Sequence, residues 1–326
     1  MMKTLGLGNA LVDLLVQLDN DSVIKSLNFP KGSMQLIEQE EIGSITKMIE
    51  SLPVMMVSGG SAANTIHGLA CLGNECGFIG KVGRDELGRF YDTDLSNAGV
   101  KSYILLSNAV TGHAYTLITP DTERTFATFL GAAVEMKSND LNPEIFADYD
   151  LLHIEGYLVQ NTDLIKSALQ IAKENGLKIS LDLASFNVVE SNIKFLTHII
   201  PEYVDILFAN EEEARAFTGK NPLEAIKMVA SQCETAVVKI GKQGSLVRSG
   251  NEQVRVTAIP SDVVDTTGAG DQYAAGFLHG FSIGLDLEKC GQLGSLLAGK
   301  VIENFGARIK PEFWKDILTE ANRIKT

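Results

Sequence analysis

Short apolar runs alternate with stretches of helical periodicity along most of this chain, and that alternation restricts its fold more than any other feature. The runs Thr4–Gly8, Val54–Val57, Gly77–Ile79, Leu151–Glu155, Lys178–Asp182, Val204–Ala209 and Thr235–Ile240 read as buried strands. Between them Ser61–Leu72, Leu87–Ala98, Thr162–Asn175, Glu211–Thr218, Leu223–Gln232, Asp271–Ile283, Leu287–Asn304 and Pro311–Ala321 read as helices. Parallel neighbours need a crossover between them, usually a helix, so this order predicts an α/β fold with a mostly parallel sheet covered on both faces.

Two regions depart from the alternation. Leu11–Leu18 with Gly32–Ile37, and Tyr103–Gly131, read as shorter antiparallel strands with no helices between them. Within the second, Thr111 to Leu130 reads as a hairpin around the turn Pro120-Asp121-Thr122-Glu123. The simplest architecture is a single domain over residues 1–326, with a small β-sheet from about 11–37 and 101–131 inserted into a large α/β body. A chain of 326 residues, 45% of them apolar, can bury a core of that size.

Charge and cysteine usage exclude some roles. A net charge of −13 opposes binding to nucleic acid or to an anionic membrane, so neither is an expected partner. No apolar run approaches membrane-spanning length. Gly6, Gly8, Asn9 and Asp13 interrupt the apolar N-terminal segment, against a signal peptide. Cys71, Cys76, Cys233 and Cys290 lie in apolar or helical segments and read as reduced thiols, so the expected location is cytoplasmic.

The chemistry is concentrated in Val264-Asp265-Thr266-Thr267-Gly268-Ala269-Gly270-Asp271, directly ahead of an apolar helix. Gly268, Ala269 and Gly270 form a tight turn at the helix N-terminus. Their N–H groups and the helix dipole make an anion site. Asp271 places a carboxylate inside that site, which is unfavourable unless the acid has work to do. Taking the proton from a hydroxyl that attacks a phosphate is such work. A second glycine cluster, Ser58-Gly59-Gly60-Ser61-Ala62-Ala63-Asn64, closes a strand, and Ser61 can cap the helix that follows. There Asn64 offers a donor and an acceptor to a hydroxyl-bearing ligand.

The string Asp265-Thr266-Thr267-Gly268-Ala269-Gly270-Asp271, followed by Ala274-Ala275-Gly276-Phe277, resembles the C-terminal signature of the ribokinase or PfkB family of sugar and nucleoside kinases. Gly59-Gly60 with Asn64, continued by Gly80, Gly83, Asp85 and Gly88, resembles that family's N-terminal signature. The resemblance covers nearly the whole chain with the motifs in order. It implies a ribokinase-like three-layer sandwich, with the small sheet as a lid that excludes water. It implies Asp271 as catalytic base, Gly268, Ala269 and Gly270 as the cradle of the transferring phosphoryl group, and Arg124 as a lid arginine. Gly59, Gly60 and Asn64 would bind the acceptor. Asp13, in a Gly-Asn-x-x-x-Asp run similar to the start of adenosine kinases, would contact ribose hydroxyls. Thr266, Gly241 and Gly244 would lie beside the nucleotide, Asn304 and Gly306 would border its adenine pocket, and Gly306 reads as a helix C-cap. Asn210 and Glu213 match the family's Asn-x-x-Glu motif, which organises Mg²⁺ through water. ATP, Mg²⁺ and a monovalent cation such as K⁺ are the implied cofactors.

Many sugar-specific members carry Asp-x-Asn-x-Arg after the strand that here ends in Asp182. This chain reads Asp182-Leu183-Ala184-Ser185-Phe186-Asn187, with no arginine, and leaves Asp182 without a role. The expectation is therefore transfer from ATP to a primary hydroxyl of a ribose-containing acceptor, adenosine foremost. A family sugar kinase (ribokinase, fructokinase or sugar-acid kinase) and a catalytically silent nucleoside-binding protein stay open as alternatives. So does the choice between monomer and homodimer.

Overall fold

The structure, a computed structural model, describes residues 1–121 and 123–326. In chain order its strands are β1 (Thr4–Leu7), β2 (Leu11–Gln17), β3 (Met34–Leu36), β4 (Val54–Gly59), β5 (Cys76–Gly83), β6 (Lys101–Ser107), β7 (Gly112–Ile118), β8 (Arg124–Phe129), β9 (Leu151–Glu155), β10 (Lys178–Asp182), β11 (Ile206–Asn210), β12 (Thr235–Lys239), β13 (Ser245–Ser249) and β14 (Glu252–Val256). A large sheet runs β14-β13-β12-β11-β10-β9-β1-β5-β6, parallel from β12 to β6, with β13 and β14 added antiparallel at one edge.

Both faces of this sheet are buried, as the near-continuous apolar runs require. Successive residues of a strand serve opposite cores. Ile206 and Phe208 pack with the helices Ala269–Ser282 and Leu287–Val301, whereas Leu207 and Ala209 pack with the helix Thr162–Glu174 on the other side. The result is the expected three-layer arrangement.

A second sheet runs β3-β8-β7-β2-β4. The expected hairpin is present as antiparallel β7 and β8, with the Thr119 N–H donating to Glu123 O at 2.9 Å. The turn predicted at Pro120–Glu123 includes Thr122, which lies outside the described residues.

Four assignments differ from the sequence reading. β4 joins the small sheet, antiparallel to β2, although Val54–Val57 reads as a main-sheet strand. Its Val54, Met55 and Met56 are apolar but largely exposed, and an apolar run alone does not say which sheet takes it. β6 belongs to the large sheet, parallel to β5, because the helix Glu86–Asn97 supplies the crossover a parallel pair needs. β2 and β3 are not partners; they pair in parallel with β7 and β8, and the helix Ser22–Leu27 lies between them in sequence. The β13–β14 hairpin has no counterpart among the predicted strands. Among the described residues, no helix is long and apolar enough to cross a membrane.

Candidate active site

In a parallel sheet the carboxyl ends of all strands open onto one edge, and ligands collect there. Here that edge is polar. Glu155, Asp182, Asn210 and Lys239 are the last residues of β9, β10, β11 and β12, and β1 runs out into Gly8 and Asn9. The register sets Asp182 opposite Glu155 and Asn210 opposite Lys239.

Asp271 faces the same edge from the first turn of the helix Ala269–Ser282. Gly268 caps that helix at φ +75°, and a Cβ there would sit 2.5 Å from Ala307 Cα, so only glycine fits. Ser61 Oγ donates to Asp271 Oδ1 at 2.7 Å and Asn64 Nδ2 donates to Oδ2 at 3.0 Å. Burial pushes the Asp271 carboxyl up to about 6, while those two hydrogen bonds pull it down. A carboxylate so oriented can accept a proton near neutral pH. The Ala269 N–H is already spent on Thr266 O at 3.2 Å. The turn's available donors among the described residues are therefore the Gly268 and Gly270 N–H groups, fewer than the sequence reading supposed.

The two glycine-rich segments meet at Asp271. A Cβ on Gly59 would lie 2.4 Å from Asp13 Oδ2, and one on Gly60, at φ +97°, would lie 2.1 Å from Asn9 O. The glycine pair thus lets β4 close against the Asp13 carboxylate. Burial lifts Asp13 to about 7; Arg308 opposes that shift and Asp271 adds to it. Asn64 Oδ1 is buried without a hydrogen-bond partner among the described residues. Ser61 makes no capping hydrogen bond, Gly60 holds the cap position, and the serine is spent on Asp271 instead. Glu155, which sequence reasoning passed over, ties these segments together. Its Oε1 accepts from Asn9 N (3.0 Å) and Nδ2 (2.7 Å), and its Oε2 from Ala62 N (2.9 Å).

Beyond Asp271 opens a cavity of about 1010 Å³. Its lining includes polar Asp182, Asn210, Glu213, Lys239 and the turn from Thr266 to Asp271, and apolar Ala258, Ile259, Pro260, Val263, Ala298 and Ile302. Gly241 and Gly244 line it as expected, whereas Asn304 and Gly306 do not. The helix Leu287–Val301 ends before them with Ile302 as C-cap, so Gly306 is not the cap. Its N–H instead donates to Asp265 Oδ2 at 2.7 Å.

Asn210 and Glu213 form a reciprocal capping box. Asn210 N and Nδ2 donate to the Glu213 carboxylate at 2.7 and 2.6 Å, and Asn210 Oδ1 accepts from Glu213 N at 2.8 Å. Burial, with Asp182 nearby, raises Glu213 to about 7. Among the described residues no three acidic, His or Cys side chains are grouped to hold a metal directly. The Glu213 carboxylate, already engaged by Asn210, fits a Mg²⁺ only through the ion's own waters.

Arg124 sits deep rather than on a solvated hairpin. It forms an ion pair with Asp265, donates to Thr267 Oγ1 at 2.8 Å and lies over the Phe305 ring at 5.2 Å. Asp265 Oδ1 also accepts from Thr267 N at 2.9 Å. One arginine of the small sheet is thereby joined to the loop that leads into the anion-binding turn. Glu155 and Asp182 share the one signal that could have found them: each is a polar residue ending a predicted apolar strand, whereas Lys239 ends its strand only in the structure, one residue short of the predicted Thr235–Ile240.

Comparison with known proteins points to kinases. The model of the pfkB family carbohydrate kinases matches residues 35–313. An uncharacterized sugar kinase of Archaeoglobus fulgidus is 30% identical over 247 residues, 74% of this chain and 96% of that protein. A probable sugar kinase from Rhizobium etli superposes with a TM-score of 0.87 at 33% identity, over 99% of this chain and 98% of its own. The adenosine kinase of Sinorhizobium meliloti superposes with a TM-score of 0.86 at 35% identity, over 99% of each chain.

Proposed function

The chain belongs to the pfkB family of carbohydrate kinases and is a sugar or nucleoside kinase, and on that premise we propose that it transfers the γ-phosphoryl group of ATP to the 5′-hydroxyl of adenosine. The observation that carries the proposal is Asp271, held by Ser61 and Asn64 in the lining of the cavity beside the Gly268–Gly270 turn. Asp271 takes the proton of the acceptor hydroxyl as its oxygen bonds to phosphorus and the bond to the leaving ADP breaks. The N–H groups of Gly268 and Gly270 hold the phosphoryl oxygens, and the apolar lining residues, Ile259, Val263, Ala298 and Ile302 among them, take the adenine ring. Glu213 and Asn210 would hold Mg²⁺ through water, and the ion, when bound, would supply charge neutralisation at the phosphates. Asp13 and the free Oδ1 of Asn64 accept hydrogen bonds from acceptor hydroxyls. The small sheet closes over the acceptor as a lid, with Arg124 as its contact to the Asp265–Thr267 loop.

Adenosine is favoured by the ribose-type acid Asp13, by the missing arginine after Asp182, and by the 35% identical adenosine kinase. A free-sugar acceptor is the second reading, favoured by the two sugar-kinase relatives. Turnover of adenosine, other nucleosides, ribose and fructose, side by side with ATP and Mg²⁺, separates them. Adenosine as the best substrate by kcat/KM is the expected result, and a free sugar in that position would replace it. ATP binding with no transfer to any acceptor would instead favour a silent binding protein.

A further inference from the structure

Lys239 stands just ahead of the Gly241–Gly244 loop, for which the resemblance implies a place beside the nucleotide but gives the lysine no role; it ends β12 and lines the cavity. Its ammonium lies 2.8 Å from Asp182 Oδ2, and a Cβ on Gly270 would stand 3.0 Å from Nζ. We propose that Lys239 is a phosphate-contacting residue of the nucleotide site and that Asp182 is the tether that aims it. The proposal deepens the kinase reading and rests on it for the identity of the ligand.

Three observations support it. An ammonium carries three donors, and among the described residues Lys239 gives one only to Asp182, which leaves two for a ligand. The other buried cations near the edge are engaged elsewhere: Arg124 with Asp265, and Arg308 with Asp94 at 2.7 Å. The triphosphate end of a nucleotide placed here meets the carboxylates of Asp182, Glu213 and Asp271. Two lysines line the cavity with them: Lys242, which is exposed, and Lys239, which is tethered among the carboxylates and has room above the turn because residue 270 is glycine.

The tether is itself built. Asp182 Oδ1 accepts from Ala184 N at 3.0 Å, and Ala184 holds the left-handed conformation at φ +63°, strained for a residue with a side chain. Both Asp182 oxygens are thereby used, one to fix the carboxylate and one to hold the lysine. Burying an ion pair of this kind seldom stabilises a protein more than an apolar pair would, so stability alone is a poor reason for its presence.

The test compares ATP with AMP at the nucleotide site while a saturating adenosine analogue without a 5′-hydroxyl fills the acceptor site; there the two nucleotides share every contact except those to the terminal phosphates. Affinities of both, measured calorimetrically with Mg²⁺, are taken for the wild type, Lys239→Met and the double variant Asp182→Asn/Lys239→Met. The expected result is an ATP affinity about tenfold to a hundredfold weaker in Lys239→Met, with AMP affinity little changed. The double variant should stay equally weak for ATP. If it instead recovers wild-type ATP affinity, the lysine serves only to neutralise Asp182 and the proposal is overturned. An unchanged ATP-to-AMP ratio in Lys239→Met overturns it too. Should the single variant fail to fold, the double variant, which leaves no unpaired charge, carries the comparison. Acceptor turnover is measured separately, so a wild type that prefers ATP to AMP but phosphorylates nothing sinks the kinase reading while the ratio still judges Lys239.

Discussion

The two sheets treat their apolar residues in opposite ways. The large sheet buries both faces, and its strand ends place Glu155, Asp182, Asn210 and Lys239 in one row. The small sheet leaves Met34, Leu36, Met55 and Met56 largely exposed, yet it carries Asp13 and Arg124, which face inward. A sheet covered on both sides has its register fixed by two cores, which suits residues that must be placed to a fraction of an ångström. The small sheet buries its strand β7 throughout, but its edge strands, β3 and the first half of β4, are largely exposed and so less firmly anchored, which suits a proposed element that closes over a bound acceptor. On this view the phosphate half of the site is preformed, and the acceptor half is completed when the small sheet docks.

The largest expected effect falls on the group between the halves. Asp271→Asn removes a positioned base and should lower kcat by about 10²–10⁴-fold with the fold retained, checked by steady-state turnover and circular dichroism. Turnover near that of the wild type would remove Asp271 from the chemistry. Next comes the contact that joins the sheets. Arg124→Met leaves Asp265 as an uncompensated buried charge, which should cost about 3–5 kcal/mol of stability in denaturant melts. Because Asp265 also holds Gly306 and Thr267, KM for acceptor and for ATP should rise together. A rise in acceptor KM alone would mean that the arginine serves the small sheet only.

A pair of glycine substitutions sharpens the division further. Gly59→Ala sets a methyl 2.4 Å from Asp13 Oδ2, and overpacking of that kind costs about 1–3 kcal/mol. It should raise acceptor KM about tenfold to a hundredfold with ATP KM little changed. Gly270→Ala, 3.0 Å from Lys239 Nζ, should do the reverse and more weakly. Equal effects of both variants on both substrates would erase the distinction between the halves.

The smallest effect is a pH dependence. Burial lifts Asp271 to about 6 and Asp13 to about 7; Asp271 takes a proton only when ionised, and Asp13 binds hydroxyls with charge-assisted strength only when ionised. Raised carboxylate values put the loss on the acid side, so kcat/KM should fall as pH drops from about 7 through about 6. A profile flat down to pH 5 would contradict that electrostatic arrangement.

Much of this was legible in the chain. The helices and most main-sheet strands follow from periodicity, and the turn Gly268–Asp271 announces an anion site with an acid in it. β4 and β6 were assigned to the wrong sheets, since an apolar run shows that a strand forms but not which neighbour it finds. Ser61 illustrates the same limit: its position before a helix suggests a cap, and the fold spends it on Asp271.

The sequence by itself determined the class of fold, the family, and the local shapes of the two glycine segments, because these depend on residues close together in the chain. Only the tertiary structure decided that Asp182 holds Lys239, that Glu155 ties Asn9 to Ala62, and that Arg124 reaches Asp265. Those partners stand 57, 146, 93 and 141 residues apart, the last from 265 − 124. No local propensity links groups at such separations; the parallel register of the large sheet and the docking of the small one bring them together.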